Sequence, residues 1–259
     1  MKVFITGAHG YIGTNLRNML IAAGIDAACV SVRGGELPDL RGCDAVVHCA
    51  GVVHKKADKK TYEEVNVNLT RRLANAAVAV GVRQFVFLST MAVYGDTRVI
   101  DARTAVNPAN DYGRSKLAAE RALQNMEGDN FIVSIIRPPM VTGENCPGNY
   151  ARLVKYSKFL PIFPNVRNFR SAVRIDTLCK LILLVLLKKA PGIFFPQERS
   201  YICTAEEIKK IRAARRKGTR LSNFLEWIIR RHPKLGSGKI FGTCVYAQAL
   251  STHFENKYR

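Results

Sequence analysis

Residues 2–16 read KVFITGAHGYIGTNL, and this stretch decides the fold. "KVFIT" is a short β-favouring run that stops at Gly7, and from Tyr11 onward Ile12, Leu16, Met19 and Leu20 recur at helical spacing until Gly24. Strand, tight turn and helix follow one another directly. The turn itself, "GAHGYIG", carries Gly7, Gly10 and Gly13 three apart. Glycine lets the backbone come close to a pyrophosphate, and the helix behind it offers unpaired N–H groups at the positive end of its dipole. The stretch predicts a dinucleotide site on Gly7, Gly10, Tyr11, Ile12 and Gly13.

The same alternation continues along the chain. "DAACVSV" (26–32), "DAVVHCAG" (44–51), "QFVFLST" (84–90) and "NFIVSIIRP" (130–138) read as strands, with helices expected over 62–81 and 112–126. "DAVVHCAG" is apolar enough to be buried on both faces. The expected fold is α/β, a Rossmann-like doubly wound parallel sheet with helices on both sides. The expected dinucleotide-binding core covers 1–140. Residues 141–259 are expected to form mainly a small C-terminal substrate-binding lobe, with a helix near 175–189 returning to the core.

The chain has 259 residues, 47% apolar and 23% charged, a composition that suits a globular protein. Seven cysteines, at 29, 43, 49, 146, 179, 203 and 244, form no close pair and no metal-ligand cluster, and five histidines are scattered. A reduced, cytoplasmic protein with no bound metal is expected. "MKVFITGAHG" breaks into glycine too early for an export signal, and the apolar part of "LCKLILLVLLKKAPG" is about half of the roughly 20 residues that span a bilayer. The formal net charge is +20, and Lys209, Lys210, Arg212, Arg215, Arg216 and Lys217 form its densest run. Anionic substrates, nucleic acid and acidic membrane surfaces all suit such a charge. Because lysine and arginine also occur throughout the chain, a solvated basic surface is expected and no specific nucleic-acid partner.

The cofactor's form depends on the end of the second strand, where an NAD site often places an acid for the ribose hydroxyls. Ser31 and Arg33 stand there instead. Arginine can pair with a 2′-phosphate through two parallel hydrogen bonds, so NAD or NADP is expected, with Arg33 weighing towards NADP.

"GAHGYIG", "VVHCAG", "FLSTMAVYG" and "YGRSK", in this order, resemble the extended short-chain dehydrogenase/reductase family, in particular its nucleotide-sugar epimerases, 4-keto-reductases and dehydratases. The resemblance covers nearly all the chain, most strongly to about residue 140. It implies catalytic roles for Thr90, Tyr112 and Lys116: Tyr112 as acid/base, Lys116 as its electrostatic partner and ribose ligand, and Thr90 orienting the substrate hydroxyl, with Ser89 as Thr90's understudy. The chemistry agrees. Residues four apart share a helix face, and a nearby ammonium together with a bound nicotinamide cation would lower a phenol from its usual value near 10 towards a working range.

The resemblance further places Glu36 and Leu37 by the adenine, Ala50 and Gly51 against the cofactor, Asn66 as a brace, and Pro138 on the loop that passes the nicotinamide. Met91, Asn149 and Arg170 are implied as contacts of a nucleotide-diphosphate sugar, Arg170 in preference to Arg174. Met91 and Ala92 replace the acidic pair of the family's 4,6-dehydratases, which removes dehydration. Three readings stay open: a UDP-hexose or UDP-N-acetylhexosamine 4-epimerase, a reductase of a nucleotide-linked 4-keto sugar, and a non-catalytic nucleotide- or nucleic-acid-binding protein. The resemblance also implies a homodimer through the helices that begin near Tyr62 and Tyr112.

Overall fold

A computed structural model describes residues 1–32, 34, 36–53, 57–159, 161–232 and 241–251. Strand β1 (Lys2–Thr6), helix α1 (Tyr11–Ala22), β2 (Asp26–Val30) and β3 (Ala45–His48) open the chain. Helix α2 follows in three parts: Lys59–Tyr62, a π-helical stretch Glu63–Asn68, and Leu69–Ala79. Then come β4 (Gln84–Leu88), a 3₁₀ turn Met91–Tyr94, β5 (Val99–Ile100), α3 (Asp111–Gln124) and β6 (Ile132–Ile136).

Six parallel strands form the main sheet in the order β10-β6-β4-β3-β1-β2, where β10 is Gly192–Phe194. The alternation of side chains along each strand feeds two cores. Val3, Ile5, Val47, Val86 and Ile136 face α1 and α5 (Ile175–Lys188) on one side. Phe4, Val46, Phe85, Phe87 and Ile135 face α2 and α3 on the other. The central strands β1, β3, β4 and β6 bury both faces, as a sheet covered by helices on two sides requires. The expected doubly wound sheet is what forms.

From β1 the chain moves outward to β2 and then crosses to β3 on β1's other side. That reversal opens a crevice at the carboxyl ends of β1 and β3, where such sheets bind ligands. Gly7 and Ala50 meet there. Gly7 has φ of +67°, and a Cβ on it would lie 2.7 Å from the Ala50 nitrogen. The link from β2 to β3 holds no further strand or α-helix among its described residues, so β2 is the sheet's edge.

Beyond β6 run β7 (Met140–Thr142), α4 (Asn149–Phe159), β8 (Ile162–Pro164) and β9 (Ala172–Arg174), and after β10 come α6 (Thr204–Ala213), β11 (Arg220–Ser222), α7 (Asn223–Arg231) and β12 (Val245–Tyr246). The chain returns to the core twice. Helix α5 packs on α1 and β10 joins the sheet beside β6. Strand β12 pairs with β5, and the Tyr246 hydroxyl donates to the Arg137 carbonyl at 2.9 Å. Helix α4, β8 and α6 supply a separate small core of Leu153, Phe163, Ala205 and Ile208. Among the described residues no helix is long and apolar enough to cross a membrane.

The expectation that Arg212 belongs to an outward basic face is overturned. Its guanidinium is buried, donating to the Gly218 carbonyl at 2.8 Å and the Ser157 carbonyl at 2.7 Å. It stitches the end of α6 to α4, because carbonyls left over at helix ends need donors.

The turn at Gly13 tests the fit most directly. A Cβ there would stand 2.4 Å from the Gly7 carbonyl oxygen, so Gly13→Ala should lower stability by about 1–3 kcal/mol and weaken dinucleotide binding. Urea midpoints and a cofactor titration check both effects.

Candidate active site

The N-terminus of α1 is built to receive an anion. Gly10 caps it without a side-chain hydrogen bond, and its first turn holds no acid. The amides of Tyr11, Ile12 and Gly13 lack intrahelical acceptors by the geometry of a helix start. Above them, the loop after β7 closes on Tyr11: a Cβ on Gly143, φ +147°, would lie 2.5 Å from the Tyr11 hydroxyl. That hydroxyl is buried and has no hydrogen-bond partner among the described residues. A turn of uncapped amides beside an orphaned buried hydroxyl fits a dinucleotide pyrophosphate.

The catalytic trio expected from sequence comes together from β4 and α3. Thr90 ends β4's run and caps the 3₁₀ turn, accepting from the Ala92 amide at 3.1 Å. Its side chain is close enough to Tyr112 to pull that phenol's pKa down. Asn110 caps α3 through the Gly113 amide at 2.9 Å, which sets Tyr112 in the first turn. Lys116 follows one turn later and is buried, its Nζ 4.0 Å from the Phe87 ring centroid. A Cβ on Gly51 would be 3.8 Å from that Nζ, so the Ala50–Gly51 corner and Lys116 share one crevice.

In the protein alone, burial dominates the electrostatics of the pair. Burial pushes Tyr112 up to about 12; the Thr90 side chain lowers it, and the neighbouring Tyr62 raises it further. Burial also pushes Lys116 down to about 7, against a partial upward pull from Glu120. Desolvation disfavours both charged forms, and in the protein alone it is the largest influence on each.

A continuous chain of hydrogen bonds holds this crevice together. The Ala50 amide donates to Thr6 Oγ1 at 3.3 Å, and Thr6 Oγ1 lies 2.6 Å from His48 Nδ1. His48 Nε2 lies 3.0 Å from Thr70 Oγ1, which donates to the Asn66 carbonyl at 2.9 Å. Because the Thr70 proton is used on that carbonyl, His48 carries its own proton on Nε2 and accepts at Nδ1. Burial, with Lys116 nearby, pushes its pKa down to about 3, so it stays neutral. The Asn66 side chain then accepts from the Val52 amide at 2.8 Å and donates to Ser115 Oγ at 3.0 Å; Ser115 donates to the Tyr112 carbonyl at 2.9 Å. Asn66 therefore is the expected brace. Thr6, His48, Thr70 and Ser115 escaped the sequence reading; the polar residue inside the apolar run "VVHC" was the available signal.

A second network lies behind Lys116. Arg137 pairs with buried Glu120 at 2.6 Å and donates to the Tyr94 hydroxyl at 2.6 Å. The Ser89 hydroxyl donates to Glu120 as well, so Ser89 is buried in this network and does not stand in for Thr90.

The remaining expected residues are distributed as follows. The Pro138 carbonyl accepts from the Met91 amide at 3.0 Å, and Cys244 Sγ lies 3.5 Å from Met91 Sδ. Arg170 is beside Cys244, with Nη1 donating to the Gly242 carbonyl at 3.0 Å. Arg174 is exposed and paired with Asp176. Asn149 begins α4, and its neighbour Tyr150 donates to Glu207 at 2.9 Å. Leu37 packs on the α2–α3 core while Glu36 is exposed. Arg33 lies outside the described residues, and no cluster that could hold a metal occurs among those described.

Fold and site together define a dinucleotide-binding α/β protein with a Thr, Tyr and Lys grouping at the carboxyl edge of its sheet. The chain belongs to the NAD dependent epimerase/dehydratase family, whose model matches residues 3–193, and is an NAD(P)-dependent enzyme of it. It is 32% identical over 253 residues to a UDP-glucose 4-epimerase of Vibrio cholerae, covering 84% of this chain and 77% of that one. It is 30% identical over 216 residues to an N-acetyl-alpha-D-glucosaminyl-diphospho-ditrans,octacis-undecaprenol 4-epimerase of Escherichia coli O157:H7, covering 74% and 65%. Among solved structures, UDP-glucuronic acid 4-epimerase from Bacillus cereus with NAD superposes with a TM-score of 0.74 at 19% identity, covering 86% and 87%.

The depressed lysine has a measurable consequence. An unfolded lysine titrates near 10.4 and Lys116 at about 7, so across that window the unfolded chain holds a proton that the folded one does not. Stability should rise with pH from about 7 to about 10, by at most about 1.4 kcal/mol per unit. Lys116→Met should remove that rise, read from urea unfolding of both proteins across the window.

Proposed function

We propose that the protein is a 4-epimerase of a nucleotide-diphosphate hexose, a UDP-hexose or UDP-N-acetylhexosamine. The approach of Thr90 to Tyr112, one helical turn ahead of buried Lys116, carries the reading. The two 4-epimerases that resemble the chain at 30% identity or above support it.

The bound dinucleotide supplies a hydride acceptor that becomes a hydride donor. The chain's own groups handle the proton. Thr90 orients the sugar's C4 hydroxyl towards Tyr112, which takes the hydroxyl proton as hydride leaves the same carbon. Tyr112 then returns a proton to the C4 oxygen when hydride comes back on the opposite face. Since burial favours the neutral phenol, Tyr112 needs cationic charge close by to act as a base; protonated Lys116 is the chain's own source, and it also binds the nicotinamide ribose. Gly7, Gly10, Tyr11, Ile12 and Gly13 hold the pyrophosphate, and Ala50, Gly51 and Pro138 border the nicotinamide. Met91, Asn149 and Arg170 face the sugar nucleotide, with Arg170 binding its diphosphate through a fixed fork. Dimerisation through α2 and α3 belongs to the same proposal, although Leu73, Ala74 and Ala77 of α2 face the sheet. A solution mass near the 28.8 kDa of one chain would remove it.

The second reading, reduction of a nucleotide-linked 4-keto sugar, is favoured by the absence of an acid where β2 ends: Val30 is followed by Ser31. The two readings part in one assay. Incubation with UDP-galactose or UDP-N-acetylgalactosamine and no added reductant should release the C4 epimer; a strict need for stoichiometric NADPH and a 4-keto sugar would replace the first reading by the second. Tyr112→Phe should leave cofactor binding intact and cut turnover at least about 10²-fold, whereas near-normal turnover would make Tyr112 structural.

A further inference from the structure

Helix α7, NFLEWIIRR, holds five large apolar side chains in nine residues, and none of its residues is buried. Its Phe224 and Trp227 rings stack on each other with centroids 6.1 Å apart, and Arg231 lies over the Trp227 ring at 5.6 Å. These three positions share one outward stripe. Phe224 is 67% exposed and Trp227 55%. Helix α7 packs on β8, whose Ile162 is 47% exposed, and Phe159 at the end of α4 is 72% exposed. Every aromatic among the exposed large side chains of the described residues lies between Tyr156 and Trp227, so the exposure is a property of this lobe.

The basic residues lie in the same place. Lys158, Phe159, Arg215 and Lys217 line one shallow hollow. Strand pairing sets Arg220 beside Ile162, and the Arg220 amide donates to the Pro161 carbonyl at 2.9 Å. Among the described residues, Lys158, Arg215, Arg216, Lys217 and Arg220 form no salt bridge, and the acid on α7, Glu226, is paired with Arg230. An exposed apolar patch on a soluble surface marks an interaction site. A stripe of Phe and Trp edged by unpaired Lys and Arg has the chemistry of a helix lying in a lipid interface, rings in the acyl boundary and cations at the headgroups.

We propose that this face of the C-terminal lobe, Phe159, Ile162, Phe224 and Trp227 ringed by Lys158, Arg215, Lys217 and Arg220, docks the enzyme on an anionic phospholipid surface. Charge complementarity argues for that occupant: the whole chain carries +20, and each lysine or arginine near such a surface adds to the attraction. Duplex nucleic acid would use the cations but leave Phe159 and Ile162 without a partner. Docking is independent of the reaction at Tyr112 and is read without turnover.

Trp227 is the only tryptophan in the sequence, so its emission reports on this face alone. The full chain should cosediment with phosphatidylcholine vesicles containing about 30% phosphatidylglycerol at about 0.05 M salt, and not with phosphatidylcholine alone. Its tryptophan emission should move to the blue on binding. Raising salt to about 0.5 M should weaken partition at least about tenfold. Phe159→Ser with Phe224→Ser, and separately Arg215→Glu with Lys217→Glu, should each do the same without moving the unfolding midpoint. Absence of cosedimentation at low salt, or binding with unchanged emission, would overturn the proposal, and both readouts use the unaltered chain. A blue shift with duplex RNA that displaces the vesicles would assign the face to nucleic acid instead. A lipid-free dimer with already blue emission, split by the double serine variant, would assign it to a second copy of the chain; either result overturns lipid docking.

Discussion

The buried hydrogen-bond chain from the Ala50 amide through Thr6, His48, Thr70, Asn66 and Ser115 to the Tyr112 carbonyl is the constraint on which the site depends. Each member both accepts and donates, so removing one leaves a neighbour orphaned, at a cost of about 1–3 kcal/mol for each buried polar group left unpaired. It joins the ends of β1 and β3, which carry the glycine turn and the Ala50–Gly51 corner, to the helix that carries Tyr112 and Lys116. The π-helical stretch Glu63–Asn68 is where Asn66 enters this chain. One extra residue per turn re-aims side chains locally, and such stretches frequently sit at functional sites. Here the change in helical winding coincides with the side chain that ties α2, β3 and α3 together.

The opposite wall of the crevice is held by charge. Glu120 lies one turn beyond Lys116 and meets Arg137 at the end of β6, while Ser89 and Tyr94 satisfy their remaining groups. A buried ion pair is weak support for stability, since desolvation offsets much of the attraction. Its value here is positional. The pair locks α3 to β4 and β6, and the Arg137 carbonyl receives the Tyr246 hydroxyl, so the C-terminal strand β12 closes over the same corner. Lys116 therefore sits between a neutral histidine relay and a compensated acid. Burial penalises its charged amine strongly, which is what a residue kept for chemistry and not for stability looks like.

The two ends of the molecule obey different rules. In the sheet, apolar alternation satisfies two cores at once, and the polar groups that enter are all hydrogen-bonded into networks. In the lobe of α4, α6 and α7 the core is small, Leu153, Phe163, Ala205 and Ile208, and large rings remain outside it. A small core cannot cover every apolar side chain of short helices: Phe159, Ile162, Phe224 and Trp227 remain exposed, and unpaired cations stand beside the first two.

The sequence by itself determined the strand–turn–helix opening, the two-sided parallel sheet and the pairing of Tyr112 with Lys116, because period, glycine spacing and a separation of four residues are local properties. It also led to Asn66 as a brace. How far burial raises Tyr112 in the protein alone was not readable from sequence, since spacing shows a neighbouring cation but not the loss of water around both groups. His48, Thr70, Ser115 and the Glu120–Arg137 pair were unreadable for a related reason: each has a partner 17 to 49 residues away, brought together only when β1, β3, β4 and β6 pair. Whether Arg212 faced water and whether Phe224 and Trp227 faced a core were also decided in three dimensions. A helical pattern states which side of a helix is apolar, and only tertiary packing decides whether anything covers it.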